Sequence, residues 1–268
     1  MNKIPKKIHY CWFGGNDLPE KDKKCIDSWK KFCPDYEIIR WDESNYDITK
    51  NKYMFDAYSN KKWGFVPDYA RFDIIFNEGG FYLDTDVELV KSLDDLRDNE
   101  GYLGFESGLF VNGGIGFGAV KGNKDIKMLR DMYDRFDFIN KDGSLNLKPS
   151  PHYITEELEK IGLKRNGKLQ KINSLIIYPI DFFAPKDYDT GKLKLTKNTV
   201  SIHQYRMSWV SDFDRKLHRK SQFYKKIFGL KFGETIFRFV SLPARVINKL
   251  KTGGISGFVS AIKRRFIK

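Results

Sequence analysis

The sequence predicts an α/β domain built on a mostly parallel central sheet, and three observations carry the prediction. Short apolar runs of strand length alternate along the chain with segments of helical period. Glycine pairs, Gly14-Gly15 and Gly79-Gly80, punctuate the boundaries between such segments. Finally, the run Phe81-Tyr82-Leu83 passes directly into Asp84-Thr85-Asp86, which sets two carboxylates at a strand end, where open α/β sheets bind ligands.

The elements follow in order. Residues 6–13 read as a buried first strand that ends in Gly14-Gly15. Cys25, Ile26, Trp29 and Cys33 recur at helical spacing until Pro34 stops them. Residues 36–41 read as a second strand, and Met54, Phe55 and Tyr58 mark a short helix. Pro67 opens a further helix through Ala70, Phe72, Ile74, Ile75 and Phe76, closed by Gly79-Gly80. Strands are expected over 81–83, 101–105 and 109–120, the last broken by Gly113-Gly114 and Gly116. Helices follow over 125–138 and 154–161, with short strands near 176–178 and 200–203. The chain shows no internal repeat and no low-complexity linker.

A length of 268 residues allows one large domain with an appendage and buries enough apolar surface to need no covalent staple. Cys11, Cys25 and Cys33 are odd in number and lack metal-ligand spacing, so they read as free thiols in a reducing compartment. The polar start of the chain predicts no secretory signal, and no apolar run is long enough to cross a bilayer. The expected location is cytoplasmic.

The net charge of +13 is concentrated at one end. Residues 215–268 hold fifteen Lys or Arg and one acidic residue, Glu234, while residues 1–214 hold 33 basic and 34 acidic ones. The body is close to neutral, which argues for a surface-binding tail rather than a basic catalytic groove. No recognition motif for nucleic acid accompanies that charge, and no nucleic-acid partner is expected. The division expected is a catalytic domain over 1–214 and a basic amphipathic tail over 215–268.

Two carboxylates as close as Asp84 and Asp86 repel unless a cation lies between them, and Mg²⁺ or Mn²⁺ favours such oxygen ligands. A turn with capping aspartates is the plain alternative. Asp68 and Arg71 share one helix face, which makes either a surface ion pair or a pair that meets phosphate and sugar hydroxyls. His9 alternates with Ile8 and Tyr10 and reads as a hydrogen-bonded interior residue; His152 follows Pro151 and borders a possible acceptor pocket. Neither a P-loop nor a paired His-x-x-x-His is present to support a phosphotransferase or hydrolase.

The series Ile8-His-Tyr-Cys-Trp-Phe-Gly-Gly15, Asp68-x-x-Arg71 and Gly79-Gly-Phe-Tyr-Leu-Asp-Thr-Asp86 resembles glycosyltransferase family 32. That family includes capsule and exopolysaccharide transferases and yeast mannosyltransferases, and is similar to the catalytic domain of the large clostridial glucosylating toxins. The resemblance covers the first 120 residues well and the stretch to Trp209 more loosely. It implies a glycosyltransferase A type fold, a UDP-sugar donor, Mn²⁺ or Mg²⁺, and retaining transfer of a hexose or N-acetylhexosamine to a growing cell-surface glycan. A protein acceptor, as in the toxins, and a non-catalytic membrane- or polyanion-binding descendant are the alternatives.

Carried over by residue, the resemblance implies that Trp12 stacks on the nucleotide base, with a packed core tryptophan as the alternative. Asp68 and Arg71 match the pair that contacts donor sugar and phosphate, Tyr82 a residue near ribose or phosphate, and Asn112 a donor-sugar contact. Asp84 matches a contact to ribose and the metal shell, and Asp86 a direct metal ligand. His203 matches a ligand that closes the metal site, and Ser208 and Trp209 a pair that closes over the diphosphate. The family often places a second His and small residues where this chain has Gln204-Tyr-Arg-Met207.

In the tail, Phe223, Ile227, Leu230, Phe237 and Val240 predict one apolar helix face, weakened by Gly229 and Gly233, before a break near Pro243. Val246, Ile247, Leu250, Ile255, Phe258, Val259 and Ile262 recur among lysines and arginines in a second segment, broken at Gly253-Gly254. A basic amphipathic helix predicts peripheral attachment to an anionic membrane at the inner face of the cell membrane, where a lipid-linked acceptor sits. A helical bundle with a solvated charged face is the alternative.

Overall fold

The computed structural model describes residues 3–207 and 210–266. In chain order the elements are β1 (Lys7–Cys11), α1 (Glu20–Phe32), β2 (Glu37–Trp41), α2 (Lys52–Ser59), α3 (Pro67–Glu78), β3 (Gly80–Tyr82), β4 (Val87–Leu89), β5 (Gly101–Phe105), β6 (Val111–Asn112) and β7 (Phe117–Ala119). Then follow α4 (Lys124–Asp131), α5 (Ser150–Glu159), β8 (Gln170–Ile172), β9 (Leu175–Tyr178), α6 (Ile180–Phe183), β10 (Ser201–His203), α7 (Asp212–Phe228) and α8 (Leu230–Phe266). The chain divides into two units, one of Met1–Asp187 with Leu193–Trp209, the other of Tyr188–Lys192 with Val210–Lys268.

The first unit is α/β. Its eight-stranded sheet has the order β2-β1-β3-β7-β5-β9-β8, with β6 paired to β5. β1 is parallel to β2 and β3, and β5 is parallel to β9. β7 is antiparallel to both β3 and β5, so β2, β1, β3, β5 and β9 share one direction. The sheet is mostly parallel, as the sequence predicts. β3 and β5 are buried throughout, the pattern of parallel strands covered on both faces. β4 and β10 form a separate antiparallel pair.

The helix openers and stops act as their chemistry dictates. Pro67 starts α3, where its missing N–H costs nothing, and Gly79 ends it at φ 66°. A side chain at Gly80 would meet the Lys7 carbonyl at 2.8 Å and His9 Nε2 at 2.9 Å, so only glycine lets β3 approach β1 here. Asn123 caps α4 by accepting from the Asp125 and Ile126 amides. In α1, Trp29 is wholly buried and its indole N–H donates to the Val87 carbonyl, 2.7 Å, tying the helix to β4.

Several boundaries differ from expectation. α4 stops at Asp131 and tightens into a 3₁₀ turn over Met132–Arg135, which keeps Met132 and Tyr133 buried. α5 starts at Ser150, because Pro151 fits a first helical turn. β4, β8 and α6 have three or four residues each, too few to show a period.

In the second unit, α7 and α8 meet at Gly229, which takes φ 78°, and α8 runs through Pro243. The break therefore lies at Gly229 and not at Pro243, since positive φ is cheap for glycine alone. At Gly233 a side chain would come within 2.6 Å of the Lys225 backbone, so this glycine is where α8 crosses α7 closely. Phe237 and Ser241 lie on the buried face of α8. No helix among the described residues is long and apolar enough to cross a membrane.

His9 is a neutral interior residue. Its Nδ1 accepts from the Trp41 indole N–H, 3.0 Å, which leaves Nε2–H to donate to the Gly79 carbonyl, 2.9 Å. Burial pushes its pKa down to about 4 from 6.5. Between those values the unfolded chain holds a proton that the folded chain refuses, so stability falls as pH drops through this window. About 2 kcal/mol is expected to be lost between pH 7 and pH 5 from this residue. Urea unfolding at the two pH values measures it, and His9→Gln should remove that share of the decline.

Candidate active site

Backbone contacts pin the acidic turn to β1, to the loop after β6 and to the start of β4. After β3, the Leu83 N–H donates to the His9 carbonyl (3.1 Å), the Asp84 N–H to the Gly114 carbonyl (3.1 Å) and the Val87 N–H to the Asp84 carbonyl (3.0 Å). Asp84 and Asp86 thus stand between the end of β3 and the start of β4, at the edge that the sheet's shared strand direction makes a ligand edge.

α3 supplies the cation beneath them. Asp68 and Arg71 are each only 4% exposed, which excludes the surface ion pair. Arg71 Nη2 lies 3.2 Å from Asp68 Oδ1 and 3.6 Å from Asp84 Oδ1. Its Nε–H donates to the Pro67 carbonyl at 3.1 Å, and its Cζ stands 5.3 Å from the Tyr82 ring centroid. Tyr82 is wholly buried, so its place is under the guanidinium.

A loop after β6 closes one side. Asn112 Oδ1 accepts from the Gly114 N–H (2.6 Å), and its Nδ2 donates to Glu106 Oε2 (2.9 Å). A side chain at Gly114 would sit 2.1 Å from Asp84 Oδ2, so the glycine is required for the carboxylate to lie where it does. Glu106 directly follows β5, as Asp84 follows β3 by one residue more, and the two strands run the same way.

β10 closes the other side. His203 Nε2 lies 3.4 Å from Asp86 Oδ1, and its buried Nδ1 has no hydrogen-bond partner among the described residues. The Arg206 N–H donates to Asp86 Oδ2 at 2.9 Å and the Gln204 N–H to the Asp86 carbonyl at 3.0 Å. The Arg206 guanidinium turns to α1, where it binds Asp22 and the Lys21 carbonyl. Gln204 Nε2 donates to Glu88 at 2.8 Å.

These surroundings drive the carboxylates apart. Burial pushes Asp84 up, with Arg71 opposing and Asp86 adding to the rise. Burial also raises Glu106, and lifts Asp68 to about 7 against the pull of Arg71. Burial acts on Asp86 in the same sense, but His203 and the Arg206 amide outweigh it and hold the group down at about 2. His203 is raised: burial disfavours its charge, and Asp86 more than offsets that. The site therefore has one firmly ionised carboxylate, Asp86, beside others that burial disfavours as anions.

Asp84, Asp86 and His203 do not close into one ligand set: among the described residues no three His, Cys, Asp or Glu groups converge for a metal. Asp84 is turned to Arg71, while Asp86 and His203 remain as a pair. A pair fits Mg²⁺ or Mn²⁺, which take one or two protein ligands and fill the remainder with water and phosphate. The excess of carboxylates and the unpartnered His203 nitrogen fit a cation too.

Of the other expected site residues, Trp12 follows β1, is partly buried, and its indole N–H donates to the Asn16 carbonyl at 2.6 Å. Ser208 and Trp209 lie outside the described residues. His152 packs its ring 4.1 Å from that of Phe110. Glu106, Asp22 and Arg206 were not singled out from sequence. For Glu106 a signal existed, a carboxylate placed directly after an apolar strand; for Asp22 and Arg206, 184 residues apart, there was none.

Removing Arg71 would strand the buried Asp68 carboxylate and leave the partly exposed Asp84 without its cation. Arg71→Met is expected to cost about 3–5 kcal/mol of folding stability. Urea unfolding measures it, and the double variant Asp68→Asn/Arg71→Met should cost clearly less than the two separate losses combined.

Comparison with known proteins bears on this same region. Residues 19–103 match the model of the glycosyltransferase sugar-binding region containing DXD motif. Inositol phosphoceramide mannosyltransferase 3 of Schizosaccharomyces pombe is 37% identical over 101 residues, 35% of this chain and 27% of that protein. The mannosyl phosphorylinositol ceramide synthase of Saccharomyces cerevisiae is 33% identical over 148 residues, 51% of this chain and 37% of its own. The chain thus spans about a third of the length of these relatives. A glycosyltransferase structure from Streptococcus pneumoniae is 13% identical with a TM-score of 0.45, covering 87% of this chain and 64% of that one. Residues 19–103, which carry Asp68, Arg71, Asp84 and Asp86, are thus similar to the DXD-containing sugar-binding region of glycosyltransferases.

Proposed function

We propose that the chain is a retaining hexosyltransferase that moves a sugar from a nucleotide donor to a hydroxyl of a growing, lipid-linked surface glycan. The observation that supports it most is the row of buried Asp68 and Arg71 with partly exposed Asp84, beside an ionised Asp86, inside the matched sugar-binding region. A non-catalytic descendant would have no need to bury an arginine with an aspartate beneath a second, partly exposed one at such cost. The relatives act on ceramide lipids by their names, which supports a lipid-borne acceptor and adds mannose to the donors worth testing. A UDP-linked hexose or N-acetylhexosamine remains the donor we assign from the motif resemblance.

Each residue has a task in this reading. Arg71 fixes Asp84 from below, so that Asp84 and Asp68 present acceptor oxygens to sugar or ribose hydroxyls. Asn112 sets Glu106 and the Gly114 amide around the same space. Asp86, held ionised and clasped by the Arg206 amide, is the group prepared to keep a cation, with His203 beside it. Asp86 and His203 would hold a divalent ion there, and its charge would neutralise the departing diphosphate.

The test is release of nucleotide from UDP-glucose, UDP-galactose, their N-acetyl forms and GDP-mannose, with Mn²⁺ and with EDTA, alongside donor binding. One donor should be turned over with metal and not with EDTA. Asp86→Ala should fold normally and lose activity by roughly 10²–10³-fold, the cost typical of deleting one electrostatic stabiliser. Full activity in EDTA or in folded Asp86→Ala would reject the metal assignment, and neither turnover nor binding of any donor would reject the transferase.

A further inference from the structure

The second unit carries a helix with two apolar faces. In α8, Phe237 (4% exposed) and Ser241 face the interior of the α7–α8 pair. The opposite face of an ordinary surface helix is polar. Here it holds Phe232 (63% exposed), Phe239 (75%) and Leu250 (40%). Their separations of seven and eleven residues are about two and three turns, so all three lie along one line of the helix. Phe232 and Phe237 are five residues apart, about 140° round the axis, which sets the two apolar faces against each other.

A row of basic residues runs beside this line. Lys231, Arg238 and Arg245 repeat at sevens, about 100° from the aromatic line, and flank it along α8. α7 adds exposed Phe223 and Ile227, one turn apart, just beyond Arg219 and Lys220. The segment's one acidic residue, Glu234, is already paired with Arg238 at 3.1 Å and Lys225 at 3.2 Å. With a net charge of +14 between residues 215 and 268, the occupant of this face must be both apolar and anionic.

We propose that α7 and α8 lie flat on an anionic lipid bilayer, with Phe232, Phe239 and Leu250 sunk among the acyl chains and the basic row at the headgroups. A second protein copy fits poorly, because it would bring a like-charged face to this one. Nucleic acid would meet the charge but leave the aromatic line in water. No described helix is long and apolar enough to cross a bilayer, so attachment is to one leaflet.

Flotation of the full chain with phosphatidylcholine vesicles, with and without phosphatidylglycerol, tests this in the absence of any sugar donor. Binding to the anionic vesicles at low salt, and its loss at high salt, is expected. Phe232→Ser with Phe239→Ser should weaken it about tenfold or more, as should Lys231→Glu with Arg245→Glu. Leu195→Ser, at an exposed leucine of the first unit, should leave it unchanged. No binding to anionic vesicles at low salt, or undiminished binding in the Phe232→Ser/Phe239→Ser variant, would overturn the proposal. So would a stable dimer that this variant abolishes, or tight duplex DNA binding without vesicle binding. The result is independent of catalysis, so an inactive chain that binds vesicles and an active one that does not are told apart.

Discussion

A guanidinium enclosed with two carboxylates sets the terms for the rest of the first unit. Arg71 cannot leave water without partners, and Asp68 on its own helix and Asp84 at the end of β3 provide them. That requirement fixes how α3 lies against β3 and puts Tyr82 under the cation. It also explains the glycines nearby. Gly80 lets β3 come close to β1, and Gly114 makes room for the Asp84 carboxylate, so the backbone is shaped around charges that it must bring together.

The opposing environments of Asp84 and Asp86 follow from which element each one meets. Asp84 faces the interior and Arg71; Asp86 faces β10 and takes two backbone amides with its carbonyl and carboxylate. Burial therefore disfavours the anion at Asp84, whereas His203 and the Arg206 amide favour it at Asp86. The difference arises because, past the end of β3, Asp84 meets Arg71 of α3 while Asp86 meets His203 and the Arg206 amide.

Much of this was legible in the sequence, and the limits have physical causes. Pro67 and Gly79 announce α3, and the apolar run before Asp84 announces β3, because helix ends and buried strands follow local rules. Asp68, Arg71, Asp84 and Asp86 could be named in order and spacing. The Asn112–Glu106 bond and the Arg206–Asp22 pair have no sequence signal, since each ties a residue of β6 or α1 to one in a segment with no period. β4 and β10 are three residues each and exist through pairing with one another. Gly229 and Gly233 were read as weakening a helix, whereas one makes the turn and the other the close crossing.

The clasp on Asp86 also has a consequence in time. Its amide partner, Arg206, lies 120 residues further along the chain. At ribosomal speeds of about 5–20 residues per second, that separation is on the order of ten seconds of synthesis. During this interval β3 and α3 can already pair, but β4 has no β10 to cover it and Asp86 no amide to hold it. The site is therefore among the last parts of the first unit to form, through contacts of high sequence separation. A nascent chain stalled before β10 would have much of its sheet and an unfinished catalytic edge.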